Sequence, residues 1–504
     1  MPNYLSPGVY IEEVPAGSRP IEGVGTAVAA FVGFAEKGPF NEPRLVTNWG
    51  QFTSTFGEFV PGTYLAHAVY GYFLNGGGAA HVVRVGADGA QPVARAELPS
   101  AENKDKPAFR VAALEPGTVG NEISVDITEP SEPAEGVFKL VVKQGGNVTE
   151  TYDNVNTGRG KQNVATVVKA QSKTITIEEV GSLTTPATGS LNLAGGGASV
   201  PARVTPDDYV GNTSDRTGFA GLEAVDEVTM LAVPDLMAVY EQGNIDLEGV
   251  QAVQLAMLAH CELMGDRVAI LDPLPGLNAQ QVKEWRVDKA GYDSKYATLY
   301  WPWVKVFDPP SGQAKFVPPA GHMAGIWARS DDQRGVHKAP ANEVVRGAIS
   351  LELQITKAEH DQLNPHGINV IRSFPGRGIR VWGARTISSD PSWRYLNVRR
   401  LFNYVEESIL EGTQWVVFEP NDMALWERVK RTITAFLTGV WRQGALFGAT
   451  PQEAFYVKCD AETNPPDVVD RGQLVVEIGI APVKPAEFVI FRIAQFSGGA
   501  ALSE

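Results

Sequence analysis

Apolar residues are arranged in two different patterns along this chain of 504 residues. Mostly apolar runs, such as "TAVAAFVGFA" and "VTMLAV", alternate with segments in which apolar residues recur every three or four positions. Continuous apolar runs are typical of parallel strands covered on both faces, and the wider spacing is typical of helices. The sequence therefore predicts an α/β fold built on a parallel sheet.

A second pattern fills residues 91–212. Short runs that alternate between apolar and polar residues, such as "EISVDIT" and "FKLVVK", are separated by clusters of Gly, Pro, Asn and Thr. Alternation is typical of strands with one buried face, and the clusters are typical of turns. We interpret this stretch as a small all-β domain inserted into the α/β domain, whose pattern precedes it over 28–90 and resumes over 213–370.

Individual elements follow from the resumed α/β pattern. We predict strands at "EVTMLAVPD", "DRVAILDP" and "YATLYWPWVKVFDP", with helices from about Ile245 to Met264 and at "NAQQVKEWRVD". Further along, Asn421 and Asp422 begin an amphipathic helix that ends at Gly444, because such side chains cap helix N-termini and glycine ends helices.

Each end of the chain carries a short strand pattern with no partner nearby. Val9–Val14 is followed by a tether rich in Pro and Gly, and Glu487–Phe496 is apolar on both faces at its centre. A single strand cannot stabilise itself, and an apolar strand should not remain at a free edge. We therefore expect both segments to pair with a sheet, in this chain or in another.

Composition excludes several classes of protein. The formal net charge of -15 argues against nucleic acid as a partner, because phosphate binding needs a basic surface. Two cysteines cannot form a disulfide framework and indicate a reducing compartment. The N-terminus lacks the features of a secretory signal, and the early apolar run is too short to span a bilayer. We expect a protein made and folded in the cytoplasm, without direct membrane insertion.

Three of the predicted parallel strands end in an aspartate, namely Asp235, Asp272 and Asp308. Ligands bind at the carboxyl ends of such strands, so a hydrolase that pairs one aspartate with a histidine from His322–His366 is one alternative. Capping of the next helix or turn is the commoner use of such a residue. The G-x-S-x-G, P-loop and H-E-x-x-H motifs are absent from the sequence. We therefore expect no catalytic residue, cofactor or metal.

Arginine is concentrated in one part of this acidic chain. Between positions 372 and 400 there are seven arginines and a single acid, Asp390. The arginines are Arg372, Arg377, Arg380, Arg385, Arg394, Arg399 and Arg400. They either solvate a face and pair with acids from elsewhere in the chain, or they form a basic surface for an acidic protein partner.

Several separated motifs resemble those of the contractile tail sheath family, which includes phage tail sheaths and the sheaths of related contractile injection systems. The motifs occur in the same order: "YLSPGVYIEEV", "AAFVGFAEKGP", "VPPAGHMAGIWARSDDQRGVHKAPANEVVRGA", "LNPHGINVIRSFPGRGIRVWGARTI" and "WRYLNVRRLFNYVEESI". The resemblance covers about the first ninety residues and everything after about residue 215. It implies that the polar "GVHKAPANE" segment is structural.

The resemblance also implies a domain organisation. It predicts a subtilisin-like parallel-sheet core domain, an inserted small all-β domain, and a C-terminal α+β domain completed by strands exchanged between subunits. The predicted parts are an N-terminal strand and linker arm (1–27), the first part of the core (28–90), the inserted outer domain (91–212), the second part of the core (213–370) and the C-terminal sheath assembly domain (371–504).

The function implied is mechanical. Family members polymerise as stacked hexameric rings around an inner tube and contract to drive the tube through a target envelope. The strands exchanged between subunits would be Val9, Tyr10, Ile11, Glu12 and Val14 at one end, and Phe488, Val489, Ile490, Phe491, Arg492 and Ile493 at the other. The residues expected to face the inner tube are Arg372, Arg377, Arg380 and Arg385.

The expected partners are other copies of this chain, the inner tube protein, and baseplate and terminal cap proteins. The particle would be a phage tail or a phage-tail-like particle that is assembled in the cytoplasm and is then released or stays in the cell. A static self-assembling shell, which has one lattice and does not contract, is the second alternative beside a hydrolase with a subtilisin-like fold.

Overall fold

The computed structural model describes residues 20–86, 93–101, 106–114, 117–178, 184–196 and 203–493. The predicted N-terminal strand Val9–Val14 lies outside these ranges. The described chain divides into two compact units. The larger unit lies within Gly25–Asp332 and Pro340–Arg394, and the smaller contains residues 20–24, 333–339 and 395–493.

Within the described ranges the chain forms twenty strands. In chain order they are β1 (Val28–Gly33), β2 (Arg44–Val46), β3 (Ala79–Arg84), β4 (Arg95–Pro99), β5 (Pro107–Ala113), β6 (Ile123–Thr128), β7 (Val137–Gln144), β8 (Asn147–Asn156), β9 (Ile175–Glu178), β10 (Gly189–Asn192), β11 (Met230–Ala232), β12 (Val268–Leu271), β13 (Ala297–Trp301), β14 (Val304–Asp308), β15 (Gln313–Val317), β16 (Ser350–Leu351), β17 (Ile368–Phe374), β18 (Gly378–Val381), β19 (Phe455–Lys458) and β20 (Glu477–Ile480).

The same residues form thirteen α-helices. They are α1 (Trp49–Phe56), α2 (Leu65–Asn75), α3 (Val164–Gln171), α4 (Pro206–Val210), α5 (Asp235–Glu241), α6 (Leu247–Met264), α7 (Ala279–Glu284), α8 (Ala320–Arg334), α9 (Lys357–Leu363), α10 (Leu396–Gly412), α11 (Met423–Arg442), α12 (Pro451–Ala454) and α13 (Pro466–Asp470).

An eight-stranded sheet forms the centre of the larger unit, in the order β18-β17-β13-β12-β11-β1-β3-β2. The six strands from β17 to β3 run parallel, and the edge strands β18 and β2 are antiparallel to their neighbours. In register, Ala30 of β1 lies between Leu231 and His81. β12 and β13 are buried along their whole length, as their apolar sequences require. The predicted mixed α/β fold with a parallel sheet is confirmed.

The inserted region contains two antiparallel sheets, β4-β5-β9 and β10-β6-β7-β8. Alternate residues of β6 and β7 are buried, among them Val125 and Leu140, as the alternating pattern predicts. The prediction of an all-β domain is wrong at α3. Asn163 caps this helix by accepting from the Thr166 N–H at 3.1 Å, and one helical face buries Val164 and Val168.

The smaller unit is built from α10, α11 and the two-stranded sheet β19-β20. The Asp422 side chain caps α11, as predicted, by accepting from the Leu425 N–H at 2.8 Å. One face of α11 is buried in the core of this unit, through Leu425, Val429, Ile433, Leu437 and Val440. This apolar stripe follows the spacing expected of an amphipathic helix.

Candidate functional site

Each of the three aspartates predicted at strand ends is hydrogen-bonded to other groups of the protein. Asp235 is fully buried and accepts from the backbone N–H groups of Phe34 at 2.6 Å, of Leu65 at 3.1 Å and of Tyr64. A side chain at Gly33 would collide with this carboxylate. Burial raises the pKa of Asp235 to about 6, although the three donors favour its charged form. The residue therefore ties the end of β1 and the start of α2 to α5.

Asp272 is buried at the end of β12 and serves the next helix in space. Its Oδ1 atom accepts from the N–H of Ala320, the first residue of α8, at 2.9 Å. Burial raises the pKa of this carboxyl to about 8. A carboxyl that satisfies a backbone donor at a helix start is a cap, the use expected for these aspartates.

Asp308 does not end a parallel strand, and that prediction is wrong. The sequence "YATLYWPWVKVFDP" forms two strands on either side of Pro302, and β14 lies in the antiparallel sheet β15-β14-β16. Proline lacks a backbone N–H and so interrupts a strand ladder. Asp308 therefore belongs to a different sheet from Asp235 and Asp272.

Asp308 has two side-chain partners. It contacts His67 Nε2 at 2.9 Å and accepts from Ser311 Oγ at 2.5 Å. His67 was missed in the sequence, because it is remote from the aspartate and sits in an apolar helix. The carboxylate lies between serine and histidine, whereas a catalytic triad places the histidine in the middle. Burial is the main cause that lowers the pKa of His67, to about 4. Burial likewise lowers the pKa of His322 to about 4.

No group of three or more His, Cys, Asp or Glu side chains within the described ranges could hold a metal ion. None of the helices that the structure describes has the length and apolar content needed to cross a lipid bilayer. Cys261 and Cys459 are both free and buried. Cys261 is fully enclosed, and burial raises the pKa of its thiol far above the ordinary range.

The polar "GVHKAPANE" segment begins where α8 ends, and Asp331–Arg334 just before it is helical. Val336 is buried in the core of the smaller unit. The backbone O of His337 accepts from Asn397 Nδ2 at 2.7 Å, and the same amide donates to Val483 O at 3.1 Å. These contacts make residues 333–339 part of the packing of the smaller unit.

The arginine-rich stretch is divided between surface and interior. Arg377 is exposed at the tip of the β17–β18 hairpin, and it donates to Asn342 Oδ1 at 2.9 Å. Arg380 is half-buried and donates to Asn342 O at 2.7 Å and to Arg377 O at 3.0 Å. Arg372 is also half-buried on β17, with its guanidinium 5.4 Å from the centre of the Phe374 ring.

Three of the seven arginines are interior. Arg385 is buried and donates to Asn364 O at 3.0 Å, so it is withdrawn from the surface contact predicted for it. Arg399 and Arg400 are also buried, and Arg399 donates to Glu406 Oε2 at 2.9 Å. The arginines of this stretch that a protein partner could reach are therefore Arg377, at the tip of the β17–β18 hairpin, and Arg394, which is also exposed.

The C-terminal segment of the described chain is apolar and exposed. The chain is held up to Glu487: the Val483 N–H donates to Ala445 O at 3.2 Å, and Tyr395 Oη donates to Glu487 Oε2 at 3.3 Å. Residues 488–493 then form neither helix nor strand. Their exposed apolar side chains are Phe488 (70%), Val489 (68%), Ile490 (79%), Phe491 (84%) and Ile493 (95%).

Among the described residues, β19 and β20 pair only with each other. Phe455 lies opposite Ile480, and Tyr456 lies opposite Gly479. A side chain at position 479 would collide with the Tyr456 ring, so the ring covers the glycine. Just past the end of β20, the Phe447 N–H donates to Ala481 O at 2.7 Å, so residues 445–447 flank the sheet there. Along β19 and β20 themselves, the outer edges present backbone groups with no ladder partner in the described chain, which is the arrangement that accepts added strands.

Models of two protein domains match the chain. The phage tail sheath protein central domain matches residues 212–387, and the phage tail sheath C-terminal domain matches residues 388–496. The chain belongs to the phage tail sheath family. Its larger unit contains most of the central sheath domain, and its smaller unit contains most of the C-terminal sheath domain.

Individual relatives extend this sheath match over nearly the whole chain. The tail sheath protein of Vibrio phage KVP40 is 28% identical over 57% of this chain, although the alignment spans only 42% of that protein. The tail sheath protein of Burkholderia phage BcepMu is 24% identical and covers 97% of this chain and 96% of its own length. The cryo-electron microscopy structure of the anti-feeding prophage helical sheath in its contracted state matches with a TM-score of 0.60 and 25% identity, over 97% of this chain and 99% of that chain.

Proposed function

We propose that this chain is the structural subunit of a contractile sheath that assembles as stacked hexameric rings around an inner tube and shortens to drive the tube outward. The observation that carries the proposal is the segment 488–493, which exposes five large apolar side chains immediately after a firmly held residue. An exposed apolar segment of this kind promotes aggregation of a monomer, whereas in an assembly it can bind a neighbouring subunit. A second copy of the chain offers the sheet that this segment lacks.

The acceptor in this proposal is the sheet β19-β20 of a neighbouring copy. A sheet of two strands is marginal by itself and has two outer edges. One edge would take the C-terminal segment of one neighbour and the other would take the N-terminal strand Val9–Val14 of another. Backbone hydrogen bonds would then link the copies, and the alternate apolar side chains would be buried.

The residues that follow the N-terminal tether are clamped along α10. Ile21 is buried against Gly412, the Gly23 backbone lies against the Tyr404 ring, and the Val24 N–H donates to Ser408 Oγ at 3.1 Å. The three contacts of α10 are spaced four residues apart, so they share one helix face. This clamp gives the predicted tether a fixed origin on the smaller unit, which supports a link that transmits force between copies.

Shortening of the sheath would use free energy stored in the subunit interfaces, and no nucleotide would be consumed. The partners in this proposal are other copies of the chain, an inner tube protein, and baseplate and terminal cap proteins. One structural neighbour is the baseplate of the anti-feeding prophage, with a TM-score of 0.59 and 25% identity. The particle would be a phage tail or phage-tail-like particle assembled in the cytoplasm.

The exposed hairpin arginine Arg377 is the surface charge that we propose faces the tube, with Arg380 beside it. Arg380 also donates to two backbone carbonyls, so reversal of Arg377 alone is the cleaner perturbation. Arg377→Glu should reduce tube-guided assembly while the unfolding midpoint is kept, and Arg159→Glu in the inserted domain is the matched exposed control. Unchanged tube-guided assembly in Arg377→Glu would contradict the proposed contact.

The function itself is tested by negative-stain electron microscopy of the full-length protein, a variant lacking residues 1–20 and a variant ending at Glu487. We expect hollow tubes from the full chain, with the inner tube present as template, and only rings or monomers from both truncations. Two classes of tube, long and narrow or short and wide, distinguish contraction from a static shell. Tubes of unchanged length and order from both truncations would contradict assembly by strand exchange.

A further inference from the structure

The loop between α10 and α11 presents an apolar turn in an unusual conformation. The Glu419 N–H donates to Val416 O at 3.1 Å, Val417 has φ -65° and ψ 129°, and Phe418 has φ 69°. These angles define a type II turn, whose third position normally holds glycine because φ is positive there. Phe418 is fully exposed, at 103%, and Val417 is 60% exposed. We call these two residues the knob.

The knob stands on a fixed base. The Arg428 guanidinium of α11 lies 4.4 Å from the centre of the Trp415 ring and donates to Glu419 Oε2 at 2.7 Å. This stack joins both ends of the turn to α11. A bulky residue in the left-handed region persists only where its surroundings impose it, and such outliers point to functional sites. The turn thus displays an aromatic side chain in a single orientation.

A groove of about 420 Å³ lies in the same unit, between α11 and the clamped arm. Pockets of roughly 300–1,000 Å³ accommodate drug-sized molecules, so two side chains fit. Its apolar lining includes Pro20, Ile21, Ala435, Phe436 and Val440. At the groove residue Gly439, a side chain would meet no atom within 4 Å, so the groove is open at this position.

The knob and the groove have opposite charges around them. Residues 411–422 contain Glu411, Glu419 and Asp422 and no Lys or Arg. Of these acids, Glu419 is already paired with Arg428 at the base of the knob, which leaves Glu411 and Asp422. Residues 429–442 contain two arginines and a lysine and no acid, and the exposed Arg431 lines the groove itself. Complementary charges of this kind steer a specific contact and fix its orientation.

The groove cannot be filled by the knob of the same chain. The knob precedes the first turn of α11, whereas the groove residue Gly439 is 16 residues beyond Met423, which is roughly 24 Å along a helix at about 1.5 Å per residue. We propose that the knob of one copy docks in the groove of a second copy. Two different patches on one chain make a heterologous contact, which closes into a ring or extends into a helix. The inference rests on the proposed self-assembly and adds a contact independent of the terminal strands.

Glycine at the knob provides a variant that separates folding from docking. Phe418→Gly removes the aromatic ring and suits the positive φ, so its unfolding midpoint should equal or exceed that of the wild type. Its critical concentration for sheath assembly should rise at least about tenfold, as for loss of an aromatic anchor. Gly439→Leu should have the same effect by filling the groove, and Gly439→Ala, which is too small to fill it, is the matched control.

Direct proximity is tested with Val417→Cys and Gly439→Cys in one chain, which keeps Phe418. Both native cysteines are buried. Assembled sheaths treated with a short bis-maleimide should give a ladder of dimers and higher multimers on a denaturing gel, and each single variant should not. Tubes that form but stay monomeric on the gel would overturn the knob contact and leave the sheath function standing.

Absence of tubes from wild-type protein on its inner tube would instead overturn the sheath function and this contact with it. The same cross-linking assay detects a different occupant of the groove. Ile490→Cys combined with Gly439→Cys would give the ladder if the C-terminal segment of a neighbour, and not the knob, fills the groove. That result would also overturn the proposal.

Discussion

Shortening the side chain of one valine, Val489, tests whether the C-terminal segment joins copies of the chain. Val489 is 68% exposed in the isolated chain, so Val489→Ala should leave the free energy of unfolding almost unchanged. Burial of a methylene-sized group contributes about 0.8 kcal/mol, and Val→Ala removes two such groups. Scaled by the exposed fraction, assembly should weaken by about 1.1 kcal/mol, which is roughly a sixfold rise in critical concentration.

The assay is sedimentation of assembled sheaths across a concentration series, with thermal unfolding measured in parallel. Val148→Ala is the matched control, because Val148 is also an exposed valine, at 59%, but lies on β8 of the inserted domain. Phe491→Ala extends the series: its side chain is 84% exposed, and its burial should contribute about 2 kcal/mol, or roughly 30-fold. Equal critical concentrations for Val489→Ala, Phe491→Ala and wild type would show that these side chains are not buried between copies.

Two further predictions concern buried groups. Gly412→Val should displace Ile21, whose Cγ1 lies 2.6 Å from a Cβ built at Gly412, and lower the free energy of unfolding by about 2 kcal/mol in denaturant titrations. A normal midpoint in that variant would contradict the clamp. Asp272 has a folded pKa of about 8 against an ordinary value of 3.8, so its contribution to stability is complete below pH 4 and is lost as pH rises to 8. Asp272→Asn should flatten this part of the stability–pH curve, which spans at most about 6 kcal/mol at 1.36 kcal/mol per pKa unit. A curve with unchanged slope would contradict the assignment.

The parallel sheet could be predicted from the sequence because its strands are short, apolar throughout and separated by helical patterns. The same holds for α11, where a capping aspartate, a regular apolar face and a terminal glycine agree. Helix α8 was not predicted, since its residues Ala320–Arg334 mix small, polar and apolar types. Tertiary packing buries the first eleven of them, Ala320–Ser330, on all sides. The local sequence pattern does not show that a helix will be enclosed by other parts of the fold.

The candidate sites divide in the same way. That the C-terminal segment needs a partner could be argued from its sequence, because a strand that is apolar on both faces needs cover that its own neighbours in sequence do not supply. In the single chain the segment is exposed and forms no strand, so its pairing with a sheet stays a prediction. The interior position of Arg385 could not, since its partner Asn364 O is a backbone atom brought near by the fold. The groove beside Gly439 likewise depends on the meeting of α11 with the distant residues 20–23.

The central claim, that copies of this chain are joined by exchanged strands, is tested most directly by a side-chain-resolution cryo-electron microscopy reconstruction of the assembled sheath. We predict that residues 488–493 of one copy form a strand hydrogen-bonded to β19 or β20 of another. Well-ordered sheath density in which this segment pairs with its own chain, or in which β19-β20 remains a sheet of two strands, would contradict it.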